Sequence, residues 1–432
     1  MSELAETLES LVGQTLFVAT SPEVLDFTNP KAPATLVIMA PNKRMDIPLS
    51  HKPAELINII GELKYYLDQS KVLIAWNAKN LFSFILAITG KELSISASIV
   101  DLKLIEAFLG HSEPCPGSFN QAKGRLARVV GNSSWEQTKT IYKTIYTPLI
   151  REVLPRIETL GLAHTDQKAI LHPYYEIEGQ KNGRMKCRDA FNKSFNPHTL
   201  EESEKQFLTT PDFDSKDFLY FDFKNMEVSV LQWLSKDTLL GNILNRSRDV
   251  YESIWETITG LECSPSRRKV CKGFFLPVAF GMGAATLAKK NDVAEETAKT
   301  IISRIYKKFP IAMGWLNNKD VKDNRAIDYY GRNRLFEEEY YRTQLRNFHI
   351  QAPASVICLH KLVKLHKIIQ GIARISFHVH DGYYIIPNVG QEINVLNLCK
   401  DILEEEDGLY PGLRLRVKAY RGRNLNQLKV VK

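Results

Sequence analysis

The chain has 432 residues, of which 44% are hydrophobic and 25% are charged. This composition is ordinary for a folded protein and excludes a disordered or collagen-like chain, and the length predicts two to three domains at roughly 100–200 residues each. The net charge of +8 permits a polyanionic partner without requiring one.

The sequence gives no sign of export or membrane insertion. No apolar run approaches the ~20 residues of a membrane span, and the N-terminus, MSELAETLES, is acidic, unlike signal and transit peptides. The six cysteines lack metal-binding spacing, so we interpret them as small buried groups in a reducing compartment. We therefore expect a cytoplasmic protein without a membrane partner.

Residues 15–110 alternate between strand-like and helix-like segments. This alternation predicts a small α/β domain. The predicted strands are 15–20, 34–41 and 71–77; a helix is predicted at 52–69, and 99–109 is either a second helix or a strand running into one.

A stretch rich in Gly, Pro, Ser and Asn at 110–132 separates this block from the rest. Residues 133–162 then predict one or two helices interrupted at Pro148 and Pro155. Beyond residue 172 the pattern becomes α+β. The predicted elements there are a strand at 218–223, a helix at 226–234, a mostly helical stretch at 237–325, and two strands within 373–388 joined by a tight turn at Asp381-Gly382.

Two carboxylates stand out because each ends an apolar strand. Asp222 lies in FLYFDF and Asp381 at the tip of the hairpin SFHVHDGYYII. Such a carboxylate is unfavourable unless it is paired, hydrogen-bonded or bound to a metal. Two of them together could hold the pair of hard divalent ions that catalyses phosphoryl transfer. The alternative for each residue alone is that it caps a turn.

A third element lies between them in the sequence. Ser264 followed by Pro265 predicts the start of a helix. On this helix Arg268, Lys272 and then two apolar residues recur every four positions and form one stripe. Two cations followed by an apolar end suit a nucleotide, with the cations at its triphosphate. The alternative is a solvated basic face that runs into a buried end.

The order and spacing of these segments resemble family A DNA polymerases. Residues 222–229 (DFKNMEVS) are similar to motif A of that family, 268–282 (RKVCKGFFLPVAFGM) to motif B, and 378–382 (HVHDG) to motif C. The resemblance covers about residues 165–432.

Three flanking stretches agree with this resemblance. Residues 182–186 (NGRMK) resemble the segment whose arginine contacts the minor groove, and 345–355 (LRNFHIQAPAS) resemble a palm segment. Residues 249–260 (DVYESIWETITG) resemble the phage branch of the family. The resemblance implies a phage-like DNA polymerase of right-hand shape, with an antiparallel palm, helical fingers and a thumb.

The resemblance also implies roles for individual residues. Asp222 and Asp381 would hold two Mg²⁺ ions, for which Mn²⁺ can substitute, and Lys272 would join them as a catalytic residue by donating a proton to the leaving pyrophosphate. Glu227 would block a ribose 2′-OH. The dNTP-binding set is Arg268, Lys272, Leu276, Phe280, Glu227 and Tyr251. The set contacting primer or template is Arg184, Gly281, Asn347, Gln351 and His380.

The chain departs from the family pattern at several of these positions. Leu276 is the residue that phage members often carry, and Phe280 replaces the usual Tyr. Pro277 should kink the fingers helix, because it removes the backbone hydrogen bond to the Gly273 carbonyl. An interior proline destabilises a helix by about 3 kcal/mol if nothing compensates for that loss. Motif C usually ends in Glu or Ser but here ends in Gly382, and His349 occupies a usual Pro.

The N-terminal block resembles the 3′–5′ exonuclease domain, of ribonuclease H-like fold, that often precedes this polymerase. That nuclease holds two metals with four carboxylates. The corresponding positions here are Val18, Thr20, Leu81 and Lys139, none of which is acidic. The resemblance therefore implies a degenerate domain without proofreading. The alternative is an unrelated α/β domain that braces the palm or binds a partner.

Only a short segment separates this block from the palm, where relatives carry a long thumb. We therefore expect a severely reduced thumb, and either low processivity or a replisome protein that replaces the thumb. The predicted division is an exonuclease-like domain at 1–130, a thumb or connector at 131–170, palm at 171–235, fingers at 236–325, and palm again at 326–432.

The leading hypothesis is thus a template-directed DNA polymerase that acts on primed DNA and dNTPs in replication or repair, in the host cytoplasm if the chain is of phage origin. A second hypothesis is a polymerase-derived scaffold that binds primed DNA but has lost catalysis, motivated by the changes at Phe280, Pro277 and Gly382. A third is a metal hydrolase built on His378, His380 and Asp381.

Overall fold

The structure is a computed structural model of the chain. It describes residues 14–21, 25, 34–49, 53–70, 72–90, 93, 95, 98–111, 113–131, 133–160, 162–164, 169–190, 194–210, 217–246, 248–337 and 342–431. None of the helices in these ranges combines the length and the apolar character that a bilayer-spanning segment needs.

An α/β domain comes first, as predicted. Its mixed sheet has the order β3-β2-β1-β4-β5, with β2 antiparallel to β1 and to β3, and β4 and β5 parallel to β1. The strands are β1 (Thr15–Ser21), β2 (Thr35–Ala40), β3 (Lys43–Pro48), β4 (Val72–Ala75) and β5 (Ser98–Asp101), and the helices are α1 (Pro53–Asp68), α2 (Ala78–Thr89), α3 (Leu102–Phe108) and α4 (Phe119–Val130).

Two features of this domain refine the expectation from sequence. The segment 99–109 is a strand running into a helix, because Asp101 ends β5 and its side chain accepts the backbone N–H of Leu104. The stretch 110–132, expected as a break, contains α4, which buries Phe119 and Val129 against the first domain. Its Ser118 cap outweighs the loop-like composition of the residues before it.

The segment 133–160 is helical throughout, so the predicted interruptions at Pro148 and Pro155 are wrong. It consists of α5 (Ser133–Ile141), two π-helical turns (Tyr142–Tyr146 and Leu149–Val153) and α6 (Leu154–Leu160). Wider π-helical bonding, such as that from the Leu154 N–H to the Leu149 carbonyl, carries the chain past the prolines. The rod packs between α2 and the long helix α15 (Arg342–Ile369).

A buried ion pair links the first domain to this rod. Lys79 Nζ lies 2.6 Å from Glu158 Oε1, and both side chains are at most 4% exposed. Glu158 also accepts from Ser83 Oγ and from the backbone N–H of Tyr175. Because every partner of the carboxylate is buried, this contact fixes the first domain, the rod and the start of the palm in one arrangement.

The palm is built on a five-stranded antiparallel sheet of order β15-β16-β12-β17-β18. Its strands are β12 (Phe218–Phe223), β15 (Ala373–Val379), β16 (Gly382–Pro387), β17 (Val417–Gly422) and β18 (Lys429–Val430). Leu219, Phe221 and Phe223 of β12 pack on the main core, and Tyr220 and Asp222 lie on the other face of the strand, where Phe218 belongs to a second buried cluster. Helices α15, α16 (Glu392–Glu404) and α8 (Met226–Ser235) pack together behind the sheet.

Short elements connect the rod to the palm. They are β6 (Leu162–His164), β7 (Ala169–Pro173), β8 (Tyr175–Glu176), β9 (Lys186–Cys187), β10 (Ser194–Phe195), α7 (Glu202–Lys205) and β11 (Leu208–Thr209). The β8–β9 hairpin carries the segment Asn182-Gly183-Arg184 at its tip, where Gly183 takes a φ of 79°. The guanidinium of Arg332 lies against this glycine and leaves no space for a side chain.

The stretch 237–325 is mostly helical, as predicted. Its helices are α9 (Thr238–Leu244), α10 (Val250–Thr259), α11 (Pro265–Ala279), α12 (Ala284–Asn291), α13 (Glu295–Lys308) and α14 (Pro310–Asn317). A hairpin that the sequence did not predict follows, formed by β13 (Arg325–Ile327) and β14 (Asn333–Leu335). The helices pack against one another beside the palm and form one wall of the site described next.

Candidate active site

The two strand-end aspartates meet on the palm sheet. Asp222 on β12 pairs directly with Gly382 on β16, and Gly382 follows Asp381 in the chain. Both carboxylates line one cleft of about 650 Å³. The sheet register therefore brings together two residues that lie far apart in the sequence.

The hairpin that carries Asp381 differs in detail from the prediction. Gly382 already belongs to β16 and pairs with Val379, so the turn residues are His380 and Asp381, and not Asp381 and Gly382. His380 takes the left-handed conformation, with a φ of 56°, that the turn requires. The sequence pattern favoured Asp-Gly because that pair commonly forms such turns.

Burial dominates the electrostatics of the aspartate pair. Burial, and then the neighbouring Asp381, raise the pKa of Asp222 to about 6. Burial and the nearby Glu227 raise the pKa of Asp381, and Arg184 opposes that rise. The pair thus carries a repulsion that a bound cation would relieve.

Helix α11 forms the opposite wall. Three of the four residues in the predicted stripe, Arg268, Lys272 and Leu276, line the cleft, and the other face of the helix buries Cys271 and Phe274. The fourth, Phe280, does not line it. The helix begins as predicted, with Ser264 accepting the N–H of Arg267 and Pro265 in the first turn. Cationic side chains therefore face the carboxylates across the cleft.

The proline inside α11 is compensated by a residue from another helix. Pro277 leaves the Gly273 carbonyl without its usual backbone donor. The side-chain amide of Asn291, at the end of α12, donates to that carbonyl at 3.4 Å. A Cβ at position 273 would lie 2.0 Å from Asn291 Oδ1, so the glycine makes room for the amide. The helix continues through Pro277 to Ala279.

Two ion pairs hold cleft-lining cations. Arg268 Nη2 lies 2.6 Å from Asp249 Oδ2, and Arg184 Nη2 lies 3.0 Å from Glu227 Oε1. Asp249 also caps α10 by accepting the N–H groups of Tyr251 and Glu252 through Oδ1. Burial alone would raise the pKa of Asp249, but the charge and hydrogen bond of Arg268 and the backbone N–H groups of Glu252 and Tyr251 together outweigh burial and lower that pKa.

The predicted residues fall into two groups. Those that line the cleft are Arg184, Asp222, Glu227, Tyr251, Arg268, Lys272, Leu276, His380 and Asp381. Four others lie outside that lining: Phe280, Gly281, Asn347 and Gln351. Phe280 ends α11, Gly281 takes a φ of 94° beside the Arg346 guanidinium, and Gln351 accepts from the side chain of Asn182.

Sequence reasoning missed several cleft residues. They are Lys224, Arg248, Asp249, Lys418 and Tyr420. Lys418 lies directly opposite Asp222 on β17 and opposes the rise of its pKa. An alternation of basic and apolar residues from Arg414 to Ala419 could have indicated this strand and its charged face.

Three histidines surround the Asp381 turn. The rings of His198 and His380 lie 4.9 Å apart, and His378 is buried with Nδ1 2.9 Å from the Gly382 carbonyl oxygen. Burial, followed by the neighbouring His380 for His198 and the neighbouring His198 for His378, lowers their pKa values to about 4 and about 3. These imidazoles are therefore neutral at physiological pH.

The residues present fit a divalent cation that two carboxylates hold, with water or substrate completing its coordination shell. Across the described residues, no group of three or more Asp, Glu, His or Cys side chains is placed to hold a metal. This leaves the hydrolase hypothesis on His378, His380 and Asp381 without support. Mg²⁺ instead commonly takes one or two protein carboxylates and completes its shell with phosphate oxygens and water, which is what Asp222 and Asp381 offer.

Comparisons with known proteins agree with this geometry. Residues 134–427 match the family model described as DNA polymerase family A. DNA polymerase I of Helicobacter pylori (strain J99 / ATCC 700824) is 24% identical over 213 residues, covering 47% of this chain and 22% of that protein. DNA polymerase theta of Caenorhabditis elegans is 27% identical over 171 residues, covering 37% of this chain and 10% of that protein.

Those matches span only between a tenth and about a fifth of the curated relatives' length. A solved structure, described as the POL domain of Pol1 from M. smegmatis in complex with DNA primer-template and dNTP, shares the fold. It has a TM-score of 0.75 at 15% identity and covers 98% of both chains. Since the family model spans well over half of the sequence, the chain belongs to DNA polymerase family A.

Proposed function

We propose that this chain is a template-directed DNA polymerase that adds dNTPs to a primer 3′ end. The observation that carries the proposal is one cleft in which Asp222 and Asp381 face Arg268 and Lys272. Phosphoryl transfer needs charge stabilisation and alignment more than covalent chemistry from the protein. Carboxylates on one wall and cations on the other provide both.

In the proposed reaction the primer 3′-OH attacks the dNTP α-phosphate in line. Asp222 and Asp381 would hold two Mg²⁺ ions, and these ions would supply stabilisation of the charge on the attacking and leaving oxygens. Arg268 and Lys272 bind the triphosphate, and Lys272 donates a proton to the leaving pyrophosphate. Arg268 already forms an ion pair with Asp249 at 2.6 Å. The triphosphate must therefore either share Arg268 with the Asp249 carboxylate or displace that carboxylate.

The remaining cleft residues fit selection of the nucleotide. Glu227 blocks a ribose 2′-OH, and its salt bridge to Arg184 fixes its carboxylate within the cleft. Tyr251 and Leu276 line the same space. We assign Phe280, which lies outside the cleft lining at the end of α11, to the nascent base pair. We assign Arg184, Gly281, Asn347, Gln351 and His380 to the primer–template, of which Arg184 and His380 line the cleft.

Primer extension tests this function. Purified protein receives a labelled primer–template, four dNTPs and Mg²⁺, with Asp381→Ala as the matched variant. Template-dependent extension by the wild type that is lost in the variant supports the proposal. If both proteins bind primed DNA but neither extends it, even with Mn²⁺, the scaffold hypothesis replaces the polymerase.

We also propose that the chain lacks 3′–5′ proofreading. Val18, Thr20 and Leu81, three of the positions where the nuclease would carry carboxylates, lie around one small and mostly apolar cavity in the first domain. This grouping supports the alignment with the exonuclease domain. A primer with a mispaired 3′ end tests the idea, because excision of that nucleotide by the wild type would contradict it.

The thumb proposal concerns the rod at 133–160. This helical rod is buried between the first domain and α15 along much of its length, with Ile145, Leu149 and Val153 fully covered. A rod packed in this way supports a reduced thumb, and we propose a phage-type polymerase that depends on a replisome partner for processivity. Long products from the lone protein under single-hit conditions would contradict this.

A further inference from the structure

Gly382 has no room for a side chain. A Cβ at this position would lie 2.6 Å from Cε2 of Tyr220 and 2.7 Å from its hydroxyl oxygen. The backbone of Gly382 is an ordinary strand, paired with both Asp222 and Val379, so its conformation does not demand glycine. The requirement comes from the tyrosine ring, which fills the space beside Asp381.

Packing across three strands holds that ring in place. Tyr220 on β12 lies directly opposite Tyr384 on β16 and Tyr420 on β17. It stacks on Tyr384 at a centroid distance of 4.3 Å and lies 5.4 Å from the ring of Tyr420. Tyr384 stacks in turn on Phe377 at 4.0 Å. Such cross-strand aromatic pairs stabilise a sheet and restrict the rotamers of their members.

The hydroxyl at the end of this ring reaches the metal-binding aspartate. Tyr220 Oη donates a long hydrogen bond of 3.3 Å to Asp222 Oδ1. A tyrosine hydroxyl is protonated at neutral pH, so Tyr220 acts as a donor to the carboxylate.

From these contacts we infer that Tyr220 is a positioning residue for Asp222 and that Tyr220 and Gly382 form one interdependent unit. The Tyr220 hydroxyl, which orients the Asp222 carboxylate, lies in the space that a side chain at position 382 would otherwise fill. This inference rests on the proposed polymerase function for its catalytic meaning. The packing that supports it does not depend on that function.

A metal titration tests the positioning role. Tyr220→Phe removes the hydroxyl and keeps the ring, and Tyr384→Phe removes a hydroxyl from the stacked neighbour as a matched control. Mn²⁺ is titrated into the 432-residue chain without nucleic acid, and free Mn²⁺ is followed by electron paramagnetic resonance. Loss of a group that orients a metal ligand typically weakens binding 10–100-fold, so we expect about tenfold for Tyr220→Phe and less than about twofold for Tyr384→Phe.

A double-mutant cycle in melting temperature tests the packing. Gly382→Ala should lower the melting temperature by roughly 2–8 °C through overpacking. In Tyr220→Ser/Gly382→Ala the loss should be clearly smaller than the sum of the two single losses, because the serine frees the space. Additive losses would overturn the interdependence, and unchanged Mn²⁺ affinity in Tyr220→Phe would overturn the positioning role.

Both measurements remain informative if the chain proves not to be a polymerase. If the wild type extends primers, Tyr220→Phe should raise the half-saturating Mg²⁺ concentration by about the same factor as for Mn²⁺ binding and leave the KM for dNTP nearly unchanged. An equal rise in the KM for dNTP would point to a general distortion of the cleft and would contradict the inference. Failure of extension in the wild type, with the Mn²⁺ result as expected, overturns only the proposed function.

Discussion

Asp101 in the first domain and Asp222 in the palm have similar surroundings and different partners. Each lies at or near the end of a strand, β5 or β12, and burial is the first reason that the pKa of each rises to about 6. The Asp101 carboxylate, however, accepts the backbone N–H groups of Asn77, Ala78 and Leu104. Asp222 accepts from the Tyr220 hydroxyl and faces the cleft.

The difference shows that a raised pKa alone does not identify a functional carboxylate. Backbone donors surround Asp101, so its acceptor capacity serves to hold the start of α2 and α3. Asp222 lies beside a second carboxylate and opposite cations, so its carboxylate oxygens face the cleft. The turn-capping alternative considered for strand-end aspartates thus describes Asp101 well and Asp222 poorly.

The largest expected effect tests this contrast directly. Asp222→Asn should lower primer extension by about 10³-fold or more, because a neutral amide cannot hold a divalent cation as a carboxylate does. Its melting temperature should stay equal to or above that of the wild type, since the repulsion with Asp381 is removed. Single-turnover extension and thermal unfolding measure the two effects. Substantial extension by Asp222→Asn would contradict the assignment.

The next effect concerns the contact between the two regions. Lys79→Met leaves the buried Glu158 carboxylate without its cation and should cost about 3–5 kcal/mol of unfolding free energy. The double variant Lys79→Met/Glu158→Leu should recover much of that loss, because no buried charge remains. Urea unfolding followed by tryptophan fluorescence measures both. Equal stability of Lys79→Met and the wild type would show that the pair does not brace the first domain.

A smaller effect is expected for Asp101. Asp101→Asn replaces an acceptor of three N–H groups with a poorer one and should cost about 1–3 kcal/mol of stability, while extension at low temperature stays at the wild-type rate. The folded pKa of Asp101, about 6, lies above its unfolded value, so its stabilising contribution is lost as pH rises through 6. The penalty of the substitution should therefore be smaller at pH 7 than at pH 5. A penalty that grows with pH would contradict the raised pKa.

The smallest effect is the pH dependence of metal activation. Cation binding needs the ionised form of Asp222, whose pKa is about 6 without the cation. Below pH 6 protons compete, so the half-saturating Mg²⁺ concentration should rise by up to about tenfold per pH unit. Asp101→Asn should show the same profile, although Asp101 titrates in the same range. If Asp101→Asn changed the pH dependence of Mg²⁺ activation, Asp101 would also contribute to cation binding, and the contrast with Asp222 would be wrong.

Much of the fold follows from local signals in the sequence. Alternation in FLYFDF predicted β12, and Ser264-Pro265 predicted the start of α11. The prolines at 148 and 155 misled the prediction because π-helical turns absorb them, and such turns leave no periodic trace in the sequence. The β13–β14 hairpin escaped prediction because strands of three residues are too short to show a period.

The sequence by itself determined the family and singled out the two aspartates and the cationic stripe as candidates, because motif order and spacing lie along the chain. Only the tertiary structure decided how these residues are supported. Asn291 relieves Pro277, Asp249 engages Arg268, and Tyr220 fills the space at Gly382. Each of these is a contact between different elements, set by sheet register and helix packing, and no local pattern of residues records it.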